Sequence, residues 1–285
     1  MTNATVDVDV LIPTADRPHA LAPTLAALLG QVARDPGEPM FQVFIADQAR
    51  DAPAAAADPA VATAVAALRR AGVGVHIEHR PQRLGIAEQR DWLLAQAGAP
   101  AVLSLDDDVL LGPGALARLV EALRTLRCGL VGMPAIGMSY AADERPQDWT
   151  PLEVWEDDRV RPERVRKGDP AWERWRLHNA ANPLHLERLV TVPERGWVPY
   201  RVAWVSGCTL YDTSVLRSCG GWGFWRELPA QLRGEDVVAQ LRVLEAAGGA
   251  GILPSAAYHL ELPTTLRERG TDAYAEVLEK SGVGA

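Results

Sequence analysis

Three consecutive carboxylates, Asp106, Asp107 and Asp108, directly follow an apolar run at residues 101–105. The run predicts a buried strand, and acids at its end would place negative charge at a sheet edge, where open α/β folds bind ligands. On an extended backbone Asp106 and Asp108 would point to one side and could hold Mg²⁺ or Mn²⁺ together with substrate phosphates. Alternatively, these acids are turn or helix-capping residues, a common use of Asp.

A second acidic pair, Glu235 and Asp236, opens a predicted helix over residues 237–247, and His259 follows a predicted strand over 250–253. Acids in the first turn of a helix are favoured by the helix dipole, and a lone histidine is usually a surface residue. Each feature alone therefore has a structural explanation. Together with the Asp triplet, they offer metal ligands and a carboxylate that could act as a general base toward a hydroxyl.

Alternating strands and helices must position these side chains. A glycine, Gly85, leads directly into a helix that carries Arg90, and the N-terminus of a helix beside a strand end attracts phosphate. Apolar patterning predicts strands at residues 6–12, 41–46, 72–78, 101–110, 128–133, 200–211 and 250–253. Helical spacing predicts helices at residues 21–29, 53–71, 85–94 and 237–247. This alternation predicts an α/β fold with a mostly parallel sheet and helices on both faces.

The pattern breaks at residues 139–200, which have no clear period and hold five of the nine tryptophans: Trp149, Trp155, Trp172, Trp175 and Trp197. A long irregular segment inside a compact domain is usually functional or mobile. Its tryptophans could stack on sugar faces, because indole offers a large rigid surface. They could equally fasten a loop-rich lobe onto the sheet.

Composition limits the class of protein. The 285 residues are 48% hydrophobic with a formal net charge of -8, which fits a globular protein and argues against a nucleic acid partner. The three cysteines, Cys128, Cys208 and Cys219, lack metal-ligand spacing and predict free buried thiols in a reducing cytoplasm. Neither a signal peptide nor an apolar run near 18 residues is present, so we expect no transmembrane segment, although peripheral membrane contact stays open.

These motifs, in this order, resemble those of family-2 glycosyltransferases of the GT-A fold. The resemblance covers residues 6–262 and is weakest in the insert. It runs through residues 8–14, 44–47, 85–90, 105–108, 206–209, 234–236 and His259. It implies a nucleotide-sugar-binding half at 1–138, an acceptor-binding and catalytic half at 139–262 with the insert 139–200, and a C-terminal helical tail at 263–285.

The resemblance also implies roles for single residues. The nucleotide-sugar would be bound by Pro13, Thr14, Asp47, Gly85, Arg90, Asp106 and Asp107, with Asp47 at the base. The metal, Mn²⁺ or Mg²⁺, would be held by Asp106, Asp108 and His259, and His259 could instead contact the diphosphate. Asp236 would be the general base and Glu235 would shape acceptor binding. Two departures concern the donor: many relatives have Asn where Arg83 stands, and an acid or Asn where Gln48 stands.

The activity implied by the resemblance is metal-dependent inverting transfer of a sugar, from a nucleotide-sugar with UDP as the expected nucleotide, to a hydroxyl of a glycan, lipid-linked glycan or small molecule. Two alternatives stay open. A nucleotidyltransferase of sugar phosphates typically needs a glycine-rich phosphate loop near its N-terminus, whereas residues 13–18 contain no glycine. A non-catalytic nucleotide-sugar-binding module would be favoured if Asp236 or the Asp triplet were missing, and both are present.

Overall fold

The computed structural model describes residues 6–263 and 270–280. The strands are β1 (Val8–Thr14), β2 (Phe41–Asp47), β3 (Gly74–His79), β4 (Ala101–Leu105), β5 (Val109–Leu111), β6 (Leu130–Gly132), β7 (Ile136–Gly137), β8 (Val198–Tyr200), β9 (Cys208–Asp212), β10 (Leu232–Arg233), β11 (Gly249–Leu253), β12 (Ala257–His259) and β13 (Thr271–Asp272). The α-helices are α1 (Pro18–Leu28), α2 (Pro59–Arg70), α3 (Ile86–Gln96), α4 (Ala115–Leu126), α5 (Asn182–Leu186), α6 (Thr213–Ser218) and α7 (Glu235–Ala247).

Eight strands form one central sheet in the order β3-β2-β1-β4-β9-β6-β11-β8. The strands β3, β2, β1 and β4 run parallel, and only β9 and β8 are antiparallel to their neighbours. In the register of β1 with β2, Thr14 lies beside Asp47. The carboxyl ends of β1, β2 and β4 therefore meet at one edge, as the sequence predicted for a mostly parallel sheet.

Helices cover both faces of this sheet because apolar side chains alternate along its strands. Val10 and Ile12 of β1 belong to a core cluster with residues of α1, α2 and α4, whereas Leu11 belongs to a second cluster with residues of α3, α6 and α7. Successive side chains of a strand point to opposite faces, so the strands inside the sheet contribute to both clusters, whereas the edge strands β3 and β8 each contribute to one. The predicted α/β architecture is confirmed.

The strand that carries the acids ends earlier than predicted. β4 stops at Leu105, residues 106–108 form a turn, and β5 continues in a separate three-stranded sheet of the order β5-β12-β7. The prediction of one extended strand with Asp106 and Asp108 on the same side was therefore wrong. The Asp106 N–H still donates to the Gly207 carbonyl at 2.9 Å, next to the first residue of β9, and the chain leaves the central sheet at the turn that the Val109 N–H closes onto the Asp106 carbonyl.

The strand predicted at residues 200–211 is also two strands, β8 and β9, which lie in different parts of the central sheet. Gly207, with φ of +83°, interrupts the extended backbone between them. A positive φ is readily adopted by glycine and breaks strand geometry. The prediction of a single strand was wrong because the apolar pattern continues through the connection between β8 and β9, which is not part of the sheet.

The insert at 139–200 contains 3₁₀ turns and the short helix α5 before it reaches β8. Two of its tryptophans, Trp155 and Trp197, are buried in the core, and each carries an arginine over its ring: Arg201 at 3.9 Å and Arg195 at 3.8 Å. The other three, Trp149, Trp172 and Trp175, are partly buried against the second core cluster. These contacts fasten the insert to the sheet.

Only part of the predicted C-terminal helical tail lies within the described residues. Residues 270–280 hold β13 and a single π-helical turn at Ala275–Glu279, while 264–269 and 281–285 lie outside. Within the described chain, every helix is too short or too polar to span a bilayer. All three cysteines are free thiols, and Cys219 is partly exposed rather than buried as predicted, because it follows the end of α6.

Candidate functional site

A cavity of about 730 Å³ opens at the carboxyl ends of β1, β2 and β4. It is lined by seven of the predicted site residues: Pro13, Thr14, Gly85, Asp106, Asp107, Asp108 and His259. The parallel register of β1 with β4 brings the turn after β1 next to the acidic turn after β4. Four other predicted residues, Asp47, Arg90, Glu235 and Asp236, are outside this lining.

Two of the three acids are paired with one arginine. Thr14 Oγ1 donates to Asp107 Oδ2 at 2.6 Å, while Arg17 places Nη1 3.2 Å from Asp107 Oδ1 and donates through Nη2 to Asp108 Oδ2. Burial raises the pKa of the Asp107 carboxyl to about 7, although Arg17 and Thr14 act in the opposite direction. The sequence alone assigned no role to Arg17. The signal was its position after β1, beside the end of a strand that carries acids.

His259 faces the same acid. Its Nε2 lies 3.5 Å from Asp108 Oδ2, and its Nδ1 accepts the Glu261 backbone N–H at 2.9 Å. In the neutral imidazole one nitrogen donates and the other accepts, so Nδ1 as acceptor leaves the ring hydrogen on Nε2. This arrangement suits donation from Nε2 to Asp108 or to a phosphate oxygen. Coordination of a metal by Nε2 would need the other tautomer and the loss of the Glu261 contact.

Asp106 is turned away from this pair and toward α3. Arg90 Nη2 donates to Asp106 Oδ1 at 2.7 Å, Nη1 donates to Ser104 Oγ, and Nε donates to Glu235 Oε1 at 3.3 Å. Arg90 is buried beneath the cavity, so it joins the acidic turn to the start of α7 rather than facing a ligand. Within residues 6–263 and 270–280, no three His, Cys, Asp or Glu side chains form a group that could hold a metal.

Asp108 is the triplet acid that best fits a divalent cation, because it lines the cavity beside His259 and carboxylate oxygen is the ligand that Mn²⁺ and Mg²⁺ prefer. The same oxygen that faces His259 also accepts from Arg17. Asp106 lines the cavity as well, but one of its oxygens accepts from Arg90. The carboxylate oxygens of Asp108 therefore fit a divalent metal, and the guanidinium of Arg17 already lies beside them.

The acids at the start of α7 have different surroundings. Glu235 is buried and points toward Arg90, and burial raises the pKa of its carboxyl to about 7. Asp236 accepts from Ser206 Oγ at 2.9 Å and from the N–H of Val237, and burial raises its pKa as well. Asp236 is therefore the acid of this pair without an arginine in hydrogen-bond contact. Its hydrogen-bond partner Ser206 is followed in the chain by Gly207, whose carbonyl accepts the Asp106 N–H of the acidic turn.

Asp47, predicted to contact a nucleotide base, is buried behind the cavity wall. Its Oδ1 accepts the Ala49 N–H at 2.8 Å, and its Oδ2 accepts the Ala55 N–H at 2.7 Å and lies 3.3 Å from His79. It therefore stabilises the loop that follows β2. Its neighbour Gln48 lines the cavity instead.

Gly85 lies at the start of α3 with φ of +101°. A Cβ at this position would meet the Ala230 carbonyl oxygen at 2.2 Å, so only glycine allows this close approach of two cavity walls. Nearby, Arg83 lines the cavity, pairs with Asp16, and donates from Nε to the Gln48 carbonyl at 3.1 Å. Sequence reasoning noted Arg83 only as a departure from relatives.

Comparison with known proteins gives one family and several related folds. A family model described as Glycosyl transferase family 2 matches residues 9–187. The structure of S. aureus TarS 1–349 in complex with UDP-GlcNAc aligns with a TM-score of 0.55 and 14% identity, over 92% of this chain and 60% of that one. A crystal structure of S. aureus TarS aligns with a TM-score of 0.52 and 16% identity, over 89% of this chain and 36% of that one. This chain thus spans less than two thirds of these neighbours, and no curated protein sequence matches it.

Proposed function

The chain belongs to glycosyl transferase family 2, and from that premise we propose that it transfers a sugar from a nucleotide-sugar to an acceptor hydroxyl with inversion at the anomeric carbon. The observation that carries this proposal is the path from the cavity acids to the start of α7. Asp106 lines the cavity, Arg90 joins it to Glu235, and Asp236 lies next in the chain. A donor site and a candidate base are thereby joined by buried side chains.

The cavity is suited to the donor. Its volume of about 730 Å³ is within the range of small-molecule sites, roughly 300–1,000 Å³. Arg17, Arg50 and Arg83 line it. Their guanidinium groups can attract a diphosphate, although the protein as a whole has a net charge of -8. The UDP-GlcNAc complex of TarS, which shares the fold, supports UDP as the nucleotide to test first.

We assign the divalent cation, Mn²⁺ or Mg²⁺, to Asp108, with Asp106 and His259 beside it. Such a cation, when bound, would act as a Lewis acid that stabilises the departing diphosphate. Thr14 and Arg17 hold the acidic turn in place around Asp107. Because Nδ1 of His259 accepts from Glu261, we assign the ring hydrogen to Nε2, which faces Asp108 and would donate to a diphosphate bound there.

Asp236 is the proposed general base. As the acceptor oxygen forms its bond to the anomeric carbon, its proton passes to the Asp236 carboxylate, and the bond from that carbon to the diphosphate oxygen breaks. The nucleoside diphosphate leaves with the bonding electrons. Ser206 orients Asp236 by donating to Oδ2, and Glu235 is held by Arg90. The acceptor is a hydroxyl of a glycan, lipid-linked glycan or small molecule, and the free thiols support a reducing, cytoplasmic setting.

A panel of nucleotide-sugars tests the function. Thermal shift with and without Mn²⁺ identifies the donor, because a ligand that binds only the folded state raises the melting temperature. Products are then measured for the donor that binds. Release of nucleoside diphosphate supports a glycosyltransferase, release of pyrophosphate from a nucleoside triphosphate and sugar phosphate indicates a nucleotidyltransferase, and binding without either product indicates a binding module. Asp108→Ala should lose Mn²⁺-dependent nucleotide binding, and unchanged binding would contradict the metal assignment.

A further inference from the structure

One arginine neutralises two acids of the candidate metal site. Arg17, at the residue before α1, spans Asp107 and Asp108 with separate nitrogens, and its side chain is only 12% exposed. Both carboxylates are nearly buried, at 7% side-chain exposure each. An ion pair this enclosed is weakly screened by salt, so the guanidinium strongly affects any other cation that approaches Asp108.

The net negative charge beside Asp108 is too small for tight binding of a divalent cation. At the pair formed by Asp107 and Asp108, two negative charges when ionised meet the one positive charge of Arg17, which is in direct contact with both. One net negative charge then faces the cavity. A cation at Asp108 would also be repelled by the guanidinium that shares Asp108 Oδ2. Addition of a diphosphate would supply the missing negative charge.

We propose that Arg17 is a resident counter-cation that makes divalent metal binding depend on the nucleotide. Without nucleotide, Arg17 satisfies Asp107 and Asp108 and weakens the affinity for free Mn²⁺. With nucleoside diphosphate in the cavity, the guanidinium gains an alternative anion within reach, and the metal binds at Asp108 together with the phosphates. Arg17 is thus a positioning residue, and this inference rests on the proposed nucleotide-binding function of the cavity.

Binding of MnCl₂, followed by the paramagnetic resonance signal of free Mn²⁺, tests this inference without any turnover. The titration uses nucleotide-free wild-type protein and R17Q, each with and without UDP. Wild-type protein should bind Mn²⁺ much more tightly with UDP than without it. R17Q should bind Mn²⁺ alone about 10- to 100-fold more tightly than wild-type protein, since one positive charge beside the ligand oxygen is removed. The effect of UDP on Mn²⁺ affinity should shrink accordingly.

Arg50→Gln is the matched control, because Arg50 lines the same cavity but makes no contact with the triplet acids among the described hydrogen bonds and ion pairs. It removes the same charge and should change the Mn²⁺ affinity measured without UDP by less than threefold, because any contribution of Arg50 to diphosphate binding is absent from that titration. Equal affinity of R17Q and wild-type protein for Mn²⁺ alone, or equal gains in R17Q and Arg50→Gln, would overturn the role of Arg17.

Melting temperatures establish that the variants are folded. If R17Q does not fold, R17M carries the test, since methionine also removes the positive charge but keeps an unbranched apolar side chain in place of the arginine stem. Its Mn²⁺ affinity without UDP should exceed that of wild-type protein, and an affinity equal to wild type would overturn the inference. Failure of the proposed function is seen separately, as an absence of nucleoside diphosphate release by wild-type protein with every donor.

Discussion

Arg90 Nη2 lies 2.7 Å from Asp106 Oδ1, and this contact joins the acidic turn after β4 to α3. The same guanidinium donates to Glu235 at 3.3 Å, so two acids that are 129 positions apart in the chain, Asp106 and Glu235, share one buried cation. A shared buried partner fixes their separation more tightly than two surface contacts would. The proposed donor side and the proposed base side of the site therefore both contact one side chain, that of Arg90.

Replacement of Arg90 should reveal this dependence. Arg90→Met leaves Asp106 and Glu235 without their common cation, and loss of one partner from a buried ion pair typically destabilises by about 3–5 kcal/mol. We expect a loss of that order in the free energy of unfolding measured with urea, together with loss of UDP binding. Arg188→Met is the control, because the pair of Arg188 with Glu144 is exposed and should contribute at most about 1 kcal/mol. Similar losses in the two variants would contradict the bridging role of Arg90.

Much of the fold follows from local patterns in the sequence. The apolar runs at 41–46 and 101–105 predict buried strands, and the acids after them predict a ligand-binding edge, because these features depend on residues close in the chain. The end of β4 at Leu105 was not predictable, since it depends on where its partner strand β9 begins, about a hundred residues away in the chain. The same reason applies to the bridge from Arg17 to Asp108 and to the burial of Asp47.

The close approach at Gly85 predicts a sharp effect of one methyl group. Gly85→Ala adds a Cβ that would lie 2.2 Å from the Ala230 carbonyl, so the loop at residue 230 must move and the cavity must change shape. We expect weaker UDP binding and a loss of stability beyond the roughly 1–3 kcal/mol of backbone strain. Gly168→Ala is matched in backbone conformation, with φ of +96° and open space around the added Cβ. It should show the strain alone, with UDP affinity unchanged.

Trp155, one of the two buried tryptophans of the insert, should contribute mainly to the stability of the fold rather than to acceptor binding. Trp155 is 6% exposed and stacks with Arg201, so Trp155→Ala should reduce the free energy of unfolding by roughly 3–5 kcal/mol and lower donor hydrolysis and transfer together. Trp175→Ala, at a partly exposed ring, should cost less. Selective loss of transfer by Trp155→Ala, with hydrolysis and melting temperature unchanged, would instead favour a direct role in acceptor binding.

If Asp236 is the general base, kcat for transfer should depend on pH. Burial raises the pKa of Asp236, with Asp106 adding to the effect and Arg90 opposing it. A general base works only when ionised, so transfer should be present above this raised pKa and fall as the pH decreases through it. The midpoint of that fall in kcat should lie above about 3.9, the ordinary value for Asp.

Asp236→Asn keeps the shape of the side chain and its contact with Ser206 but removes the basic oxygen. We expect kcat for transfer to fall by about 10²- to 10⁴-fold and the acid limb of the remaining rate to disappear, because general base catalysis is typically of that size. UDP and Mn²⁺ affinities should barely change, since Asp236 lies outside the donor cavity. Asp212→Asn is the control: Asp212 caps the start of α6, where Asn serves about as well as Asp, so this replacement should leave both stability and kcat nearly unchanged. Near-normal transfer by Asp236→Asn, or a product that retains the anomeric configuration of the donor, would exclude Asp236 as the base of an inverting reaction.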